Sequence, residues 1–327
     1  MLQEENAMKI VVLDGKCLNP GDLSWKTLTA LGTLDVHDFS PPETVLQRSE
    51  GATALITNKT VLSAETMDRL PDLRYIGILA TGINVVDCDA ARERNIVVTN
   101  VPKYSTASVV QCTFAHLLNL SFLLAEHHNE VVDGTWTRCR DFCFWNTTPI
   151  ELDGKTFGII GLGTIGKAVA KVAHSFGMKV IAFGPRLKEG IVEVDGIPIN
   201  AVSLDRLATE SDVISLHCPL TAENRGMIDA EFLLKVKPNV FLINTARGPL
   251  IDEQALANAL NAEKIAGAGL DVLSTEPPKS DNPLLGAKNC FISPHIAWAT
   301  LESRQRLMQI AVENLAMFLK GTPQNRV

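Results

Sequence analysis

At 327 residues the chain exceeds what one hydrophobic core comfortably serves, so two domains are expected. Hydrophobic residues make up 46% of it and charged residues 20%, an ordinary balance for a soluble globular protein. A formal charge of −7 argues against nucleic acid or an anionic membrane as the main partner. Met1–Asn6 is polar and acidic, unlike a signal peptide. The most apolar stretch, Leu117–Ala125, is interrupted by Asn119 and Ser121 and is too short to span a bilayer. The seven cysteines are scattered, and Cys139 and Cys143 lie too far apart for a CxxC motif. They read as reduced, mostly buried thiols of a cytoplasmic protein.

From the N-terminus, short apolar runs alternate with helical patterns. Strands are expected at Lys9–Asp14, Thr33–His37, Ala54–Thr57, Tyr75–Leu79 and Ile96–Thr99. Helices are expected between them, including Ser63–Leu70, which Pro71 stops, and Val86–Arg94. Such alternation implies a parallel sheet with helices on both faces. No glycine fingerprint follows the first strand, where Leu13-Asp14-Gly15-Lys16-Cys17 lacks the spacing. A long helix is expected from Ser105 to about His127. His127-His128 at its end reads as a solvated tip, and no metal site is expected. Gly134–Pro149 then gathers Trp136, Phe142, Phe144 and Trp145, a set that reads as interface or core packing, or as an arm reaching a partner subunit's active site.

Next comes Gly161-Leu162-Gly163-Thr164-Ile165-Gly166, between a predicted strand (155–160) and a helical pattern that begins at Lys167. A second strand, Lys179–Phe183, follows. Strand, glycine turn, helix, strand is the context that a dinucleotide requires. Gly161 makes the turn, Gly163 lets backbone approach a pyrophosphate, and Gly166 lets helix and strand pack closely. The helix start supplies N–H groups and a positive partial charge. Further strands are expected at Val213–Leu216, Val240–Asn244, Ala266–Leu270 and Phe291–Ile292, before a last helix over Leu301–Lys320. The fold class is therefore α/β with two doubly wound parallel-sheet domains. A dinucleotide-binding domain (102–295) is inserted into a discontinuous substrate domain (1–101 and 296–327).

Three strand ends carry candidate chemistry. Arg247 follows a buried strand, where open α/β sheets bind ligands, and its guanidinium can fork onto a carboxylate. Glu276 lies on the loop after the next strand, and His295 follows the last. Alone, each has a bland reading: a surface Arg, a solvated Glu, a satisfied loop His. Together they fit reduction of a 2-oxo acid. The Arg holds carboxylate and carbonyl, the His gives a proton to the oxygen, and the Glu orients the imidazole and favours its charged form.

Several of these motifs resemble the D-isomer-specific 2-hydroxyacid dehydrogenases over essentially the whole chain. They are Gly161–Gly166, His217-Cys218-Pro219-Leu220-Thr221, Asn244–Gly248, Gly269-Leu270-Asp271-Val272 and Ser293–His295. Leu13-Asp14-Gly15, Asn19–Trp25, Phe142–Trp145 and His295-Ile296-Ala297-Trp298 are most similar to the glycerate dehydrogenase/hydroxypyruvate reductase branch. The resemblance implies a flavodoxin-like substrate domain, a Rossmann domain, NAD or NADP as cofactor, a small 2-oxo or 2-hydroxy acid as substrate and a homodimer joined through the dinucleotide-binding domains. It implies Arg247, Glu276 and His295 as catalytic residues, with Thr81 and Gly82 offering backbone N–H groups to the substrate carboxylate. Around the cofactor it implies Gly161, Gly163, Thr164, Ile165 and Gly166 at the pyrophosphate. Cys218, Pro219 and Asn224 fall toward the adenosine, and Thr245, Ala246, Arg247 and Asp271 toward the nicotinamide.

One position departs from the NAD-preferring pattern. Gly184, then Pro185 and Arg186, stand where an acidic residue would bind the ribose hydroxyls. No carboxylate repels a 2′-phosphate there, and Arg186 is placed to attract one or to stack on adenine. The competing functional class is a dinucleotide-sensing protein like the C-terminal-binding-protein corepressors, which share fold and triad. The absence of long disordered tails favours the enzyme. Within the enzyme class, D-lactate and D-3-phosphoglycerate are the alternative substrates.

Overall fold

The computed structural model describes residues 8–327, so the expectation for Met1–Asn6 lies outside the described residues. The chain divides into two compact units. One runs to Ser105 and resumes over Ala299–Val327; the other is Thr106–Trp298.

The first unit is built on β1 (Lys9–Val12), β2 (Thr33–Val36), β3 (Ala54–Thr57), β4 (Tyr75–Ile78) and β5 (Val97–Thr99). All pair in parallel, in the order β2-β1-β3-β4-β5, the flavodoxin-like doubly wound arrangement. β3 and β4 are buried throughout, as strands covered on both faces must be. Ser63 and Asp87 start the helices Ala64–Asp68 and Cys88–Glu93 by accepting from the Thr66 and Ala90 amides.

The second unit holds β6 (Thr156–Ile160), β7 (Lys179–Phe183), β8 (Gly190–Val194), β9 (Ile197–Ala201), β10 (Val213–Leu216), β11 (Phe241–Asn244), β12 (Gly267–Leu270) and β13 (Cys290–Ile292). Their order is β13-β12-β11-β10-β6-β7-β9-β8. The chain runs outward from β6 through β7, then returns to β10 on its other side. The crevice at the carboxyl ends of β6 and β10 is thus the topological switch point, where open α/β sheets take ligands.

Three expectations need correction. The long helix is two helices, Thr106–Phe122 and Leu124–Val132, bent by 54°. Leu123 adopts φ +45°, and the Ser121 carbonyl, which a continuous helix would offer to residue 125, accepts instead from the Ile150 amide at 2.8 Å. No single described helix is long and apolar enough to cross a membrane. Second, β8 and β9 form an antiparallel hairpin that none of the expected strands anticipated. Its turn is Asp195-Gly196, both at positive φ, the dipeptide that favours a tight hairpin. Third, the cysteines are free thiols but not mostly buried: Cys17 and Cys143 are exposed and the other five half-buried.

The switch point is tightly closed at its base. The His217 amide donates to the Ile160 carbonyl at 2.8 Å, and its imidazole Nε2 lies 2.8 Å from Ser215 Oγ. Enclosure of the ring pushes the His217 pKa from 6.5 down to about 3. The native state therefore keeps a neutral imidazole that the unfolded chain protonates near its ordinary value. Between these two values the unfolded state binds more protons, so stability is full above about pH 6.5 and falls as the pH is lowered toward 3. Thermal unfolding midpoints followed over that window should fall more steeply for the wild type than for His217→Gln. Parallel curves would exclude His217 as a source of the acid sensitivity.

Candidate active site

In-register pairing brings three strand ends to one level. Asn244 of β11 stands beside Leu270 of β12, which stands beside Ile292 of β13. Everything immediately beyond these residues shares one edge of the sheet.

Beyond β11, the buried Asn244 side chain folds the next turn. Its Oδ1 accepts from the Ala246 amide at 2.9 Å, and its Nδ2 donates to the Arg247 carbonyl at 2.9 Å. Arg247 is exposed, and its guanidinium is tethered by one bond, from Nη1 to the Ala246 carbonyl at 2.6 Å. Gly248 has to be glycine: a Cβ there would stand 2.0 Å from the Leu273 carbonyl carbon. The Arg247 turn and the loop beyond β12 therefore touch backbone to backbone.

The loop beyond β12 is braced by Glu253. Its Oε1 accepts from the Ser274 amide at 2.6 Å and its Oε2 from Asn282 Nδ2 at 2.8 Å. Glu276 turns back over this loop, where Oε1 accepts from the Leu273 amide at 3.0 Å. Its Oε2 lies 2.5 Å from His295 Nδ1. The ion-pair geometry that the sequence anticipated is present, on the ends of neighbouring strands.

His295 sits at φ +54°, a left-handed conformation that a residue with a Cβ adopts only when held. Asp271, 1% exposed, holds it. Its Oδ1 accepts from Ser293 Oγ at 2.6 Å and from the Ile296 amide at 2.9 Å, and its Oδ2 accepts from the Ala297 amide at 2.8 Å. Its backbone carbonyl takes the His295 amide at 2.9 Å. Sequence reading had set Asp271 only beside the nicotinamide. Its carboxylate here folds the loop that carries His295.

The glycine fingerprint joins β6 to the helix Thr164–Ser175. Gly161 has φ +102°, and a Cβ on it would lie 2.7 Å from the Cys218 nitrogen. A Cβ on Gly166 would lie 2.2 Å from the Gly161 carbonyl oxygen. Around Gly163, by contrast, nothing lies within 4 Å of that position. Gly163 starts the helix, no side chain caps it, and its first turn, with Thr164 and Ile165, carries no acid. Free donors facing open space are what a pyrophosphate needs, so the residues fit the dinucleotide.

Cys218, Pro219 and Asn224 share one loop beyond β10, closed by Asn224 Nδ2 donating to the Pro219 carbonyl at 2.8 Å. Thr245 is buried beside Thr113, with their hydroxyls 3.1 Å apart. Beyond β7, the Leu187 amide closes a turn onto the Gly184 carbonyl at 2.9 Å, and Arg186 is exposed on it. Thr81 and Gly82 lie in the other unit, on the loop after β4. The Thr81 hydroxyl there donates to the Val101 carbonyl at 2.9 Å.

Sequence reasoning missed Glu253, Asn282 and the pair His116–Ser293. Ser293 opens the Ser293-Pro294-His295 motif and was within reach. His116 lies in an apolar helix, and only the three-dimensional packing exposes its neighbours.

The profile described as "D-isomer specific 2-hydroxyacid dehydrogenase, NAD binding domain" matches residues 114–297. A hydroxypyruvate reductase from Blautia hydrogenotrophica is 52% identical over 324 residues, 98% of this chain and 99% of that protein. A glycerate dehydrogenase from Methylorubrum extorquens is 40% identical over 288 residues, 88% of each. Among solved structures, an NADPH-dependent glyoxylate/hydroxypyruvate reductase from Sinorhizobium meliloti, in complex with NADP and malonate, superposes with a TM-score of 0.82 at 28% identity, covering 98% of this chain and 97% of that one. With whole-length identity of this order, the chain belongs to the D-isomer-specific 2-hydroxyacid dehydrogenases, NAD(P)-dependent oxidoreductases that exchange a hydride with small 2-oxo acids.

Proposed function

We propose that the protein reduces hydroxypyruvate, or glyoxylate, to D-glycerate or glycolate, with His295 as proton donor, Glu276 as its orienting carboxylate and Arg247 as the substrate clamp. The observation that carries this reading is the 2.5 Å contact between Glu276 Oε2 and His295 Nδ1, one strand away from an exposed arginine. The substrate class follows the names of the relatives, above all the hydroxypyruvate reductase at 52% identity.

The roles follow from atoms. Glu276 takes the Nδ1 side of the imidazole, which leaves Nε2 to hold the transferable proton. Nε2 delivers that proton to the substrate oxygen as negative charge develops on it, a contribution typically worth ~10²–10⁴-fold. Arg247, tethered by one bond, keeps donors available for two parallel bonds to a carboxylate. Backbone donors at Thr81 and Gly82 keep the carboxylate role that the family resemblance implies for them. A dinucleotide held by its pyrophosphate at the Gly161–Gly166 turn would supply the hydride from its nicotinamide ring, on the side of Thr245 and Asp271. The dinucleotide-sensing alternative is not favoured, because the relatives matched over the whole chain are named as reductases and dehydrogenases.

With hydroxypyruvate and saturating NADH or NADPH, His295→Ala should lower kcat by at least ~10²-fold while cofactor titration stays near wild type. Arg247→Ala should raise KM and lower kcat together, since it removes carboxylate binding and carbonyl polarisation at once. Near-native turnover in either variant would refute the role given to that residue.

For cofactor choice, the reading is that NADPH is accepted at least comparably to NADH. A Cβ at Gly184 would meet only Leu187, at 3.5 Å, so the position is open, and exposed Arg186 makes no hydrogen bond among the described residues. Nothing anionic at this turn opposes a 2′-phosphate. Measured kcat/KM for both cofactors, in wild type and Arg186→Ala, tests this. A preference for NADH above ~10²-fold, about 2.7 kcal/mol, that the substitution leaves unmoved would overturn it.

The second unit also leaves several large apolar side chains exposed. Leu124 is 71% exposed, Val132 70% and Phe142 89%, with Phe122, Trp136 and Trp145 exposed beside them in the sequence. Leu118, Phe122, Pro149, Ile150 and Phe176 line a shallow hollow of about 500 Å³. So many large apolar side chains left exposed in one stretch of sequence, beside an apolar hollow, mark a protein interface, and the reading is that a second copy covers them. Light scattering should give a dimer mass for the wild type and a monomer for Leu124→Glu/Trp145→Glu. A monomeric wild type would remove the proposal.

A further inference from the structure

We propose that His116 is a positioning residue for the catalytic loop: its Nε2–H, acting through Ser293 and Asp271, holds the Ser293–Ala297 backbone in the shape that presents His295. This rests on the reading of His295 as proton donor.

The hydrogen-bond accounting fixes the direction of each link. Ser293 Oγ donates its single proton to Asp271 Oδ1 at 2.6 Å. Its oxygen, 3.0 Å from His116 Nε2, can then only accept, so the imidazole is the Nε2–H tautomer. Burial pushes the His116 pKa below its ordinary value, against the pull of the Asp271 charge, and keeps the ring a neutral, single-tautomer donor. The other titratable group beside this link, Cys112, has its thiol pushed up to about 11 by burial and adds no charge.

The packing is built around this contact. β12 carries glycine opposite the ring: a Cβ on Gly269 would stand 2.6 Å from His116 Cβ. The same helix, Thr106–Phe122, grips the loop a second time, where Ser108 Oγ donates to the Ala297 carbonyl at 2.5 Å. One helix thus holds both ends of a five-residue loop whose centre, His295, is at φ +54°. Asp271 supplies the middle hold through the Ile296 and Ala297 amides. Without His116 the Ser293 hydroxyl keeps only the weak Cys112 thiol as a donor, and the loop gains freedom at the residue two before His295. Misplacement of a reacting group by about 1 Å costs up to ~10²-fold, so a partial loosening should be visible in kcat.

The test compares His116→Leu, His116→Gln and His295→Ala in turnover of hydroxypyruvate with NADPH, in cofactor titration and in thermal unfolding. Glutamine places an amide N–H near the Nε2 position; leucine does not. The expected result is that His116→Leu lowers kcat about 10-fold with cofactor affinity within about 2-fold of wild type, and that His116→Gln regains most of the loss. Wild-type kcat in His116→Leu would overturn the inference. So would equal losses in both variants that track their unfolding temperatures, because that pattern marks a purely structural role. Turnover retained by His295→Ala would instead sink the proton-donor reading, whereas an inactive His295→Ala beside a fully active His116→Leu sinks only this inference. If His116→Leu does not fold, Ser293→Ala interrupts the same link with one atom removed, and full activity there has the same overturning force.

Discussion

The in-register parallel pairing of β11, β12 and β13 is the constraint on which the site depends. Parallel strands that end level deliver their following residues to one edge, whatever the length of the crossovers between them. Arg247, Asp271, Glu276 and His295 all lie within six residues of those ends. A slip of one residue at β13 would turn its side chains to the opposite face and carry His295 away from Glu276. The middle strand of the three, β12, is thin. Gly267 and Gly269 of β12 lie against Leu120 and His116 of the Thr106–Phe122 helix, where Cβ atoms would stand 2.7 and 2.6 Å from those side chains. The glycines of this strand are a packing device, letting a helix sit close enough to reach beneath the loop that carries His295.

How much of this was legible beforehand divides along physical lines. Strands buried through their centres announce themselves as apolar runs, and Ala54–Thr57, Lys179–Phe183 and Val213–Leu216 were read with their observed ends. The fingerprint glycines were legible because each answers a local steric demand that sequence spacing encodes. The β8–β9 hairpin was missed although Asp195-Gly196 marks its turn and Ile191, Val192 and Val194 stand in β8, a strand that is largely exposed. The break at Leu123 could not be read at all. It depends on Ile150, twenty-seven residues on, taking the carbonyl that helix continuation needs. His116 belongs to the same class: its meaning comes from Ser293, distant in sequence and adjacent in space.

The fingerprint follows the central β6 and the triad follows β11 to β13 along the same edge, and the two are stabilised in different ways. At the fingerprint, room is the essential property. Gly161 and Gly166 are packed against backbone while Gly163 stands clear, so the first turn of the helix points its donors into open space. At the triad, restraint is essential. Glu276 spends one oxygen on its own loop and one on His295, and Glu253 bridges Ser274 and Asn282 to keep that loop in place. The first arrangement suits a ligand that arrives and leaves; the second suits groups that must already be aligned when it does.

The backbone of His295 shows how large that restraint has to be. A left-handed residue with a Cβ is disfavoured by roughly 1–2 kcal/mol. Hydrogen bonds to a charged group contribute about 1.5–3 kcal/mol each, and Asp271 receives three on its carboxylate from the loop that bears His295. The hold therefore exceeds the strain by a comfortable margin, and the conformation persists without substrate. Two more bonds, from Ser108 to Ala297 and between His116 and Ser293, fasten that loop to a helix rather than to another loop. Since a helix of the sheet's own core moves less than a surface connection, the imidazole inherits the rigidity of the domain interior while its outer edge stays open to solvent.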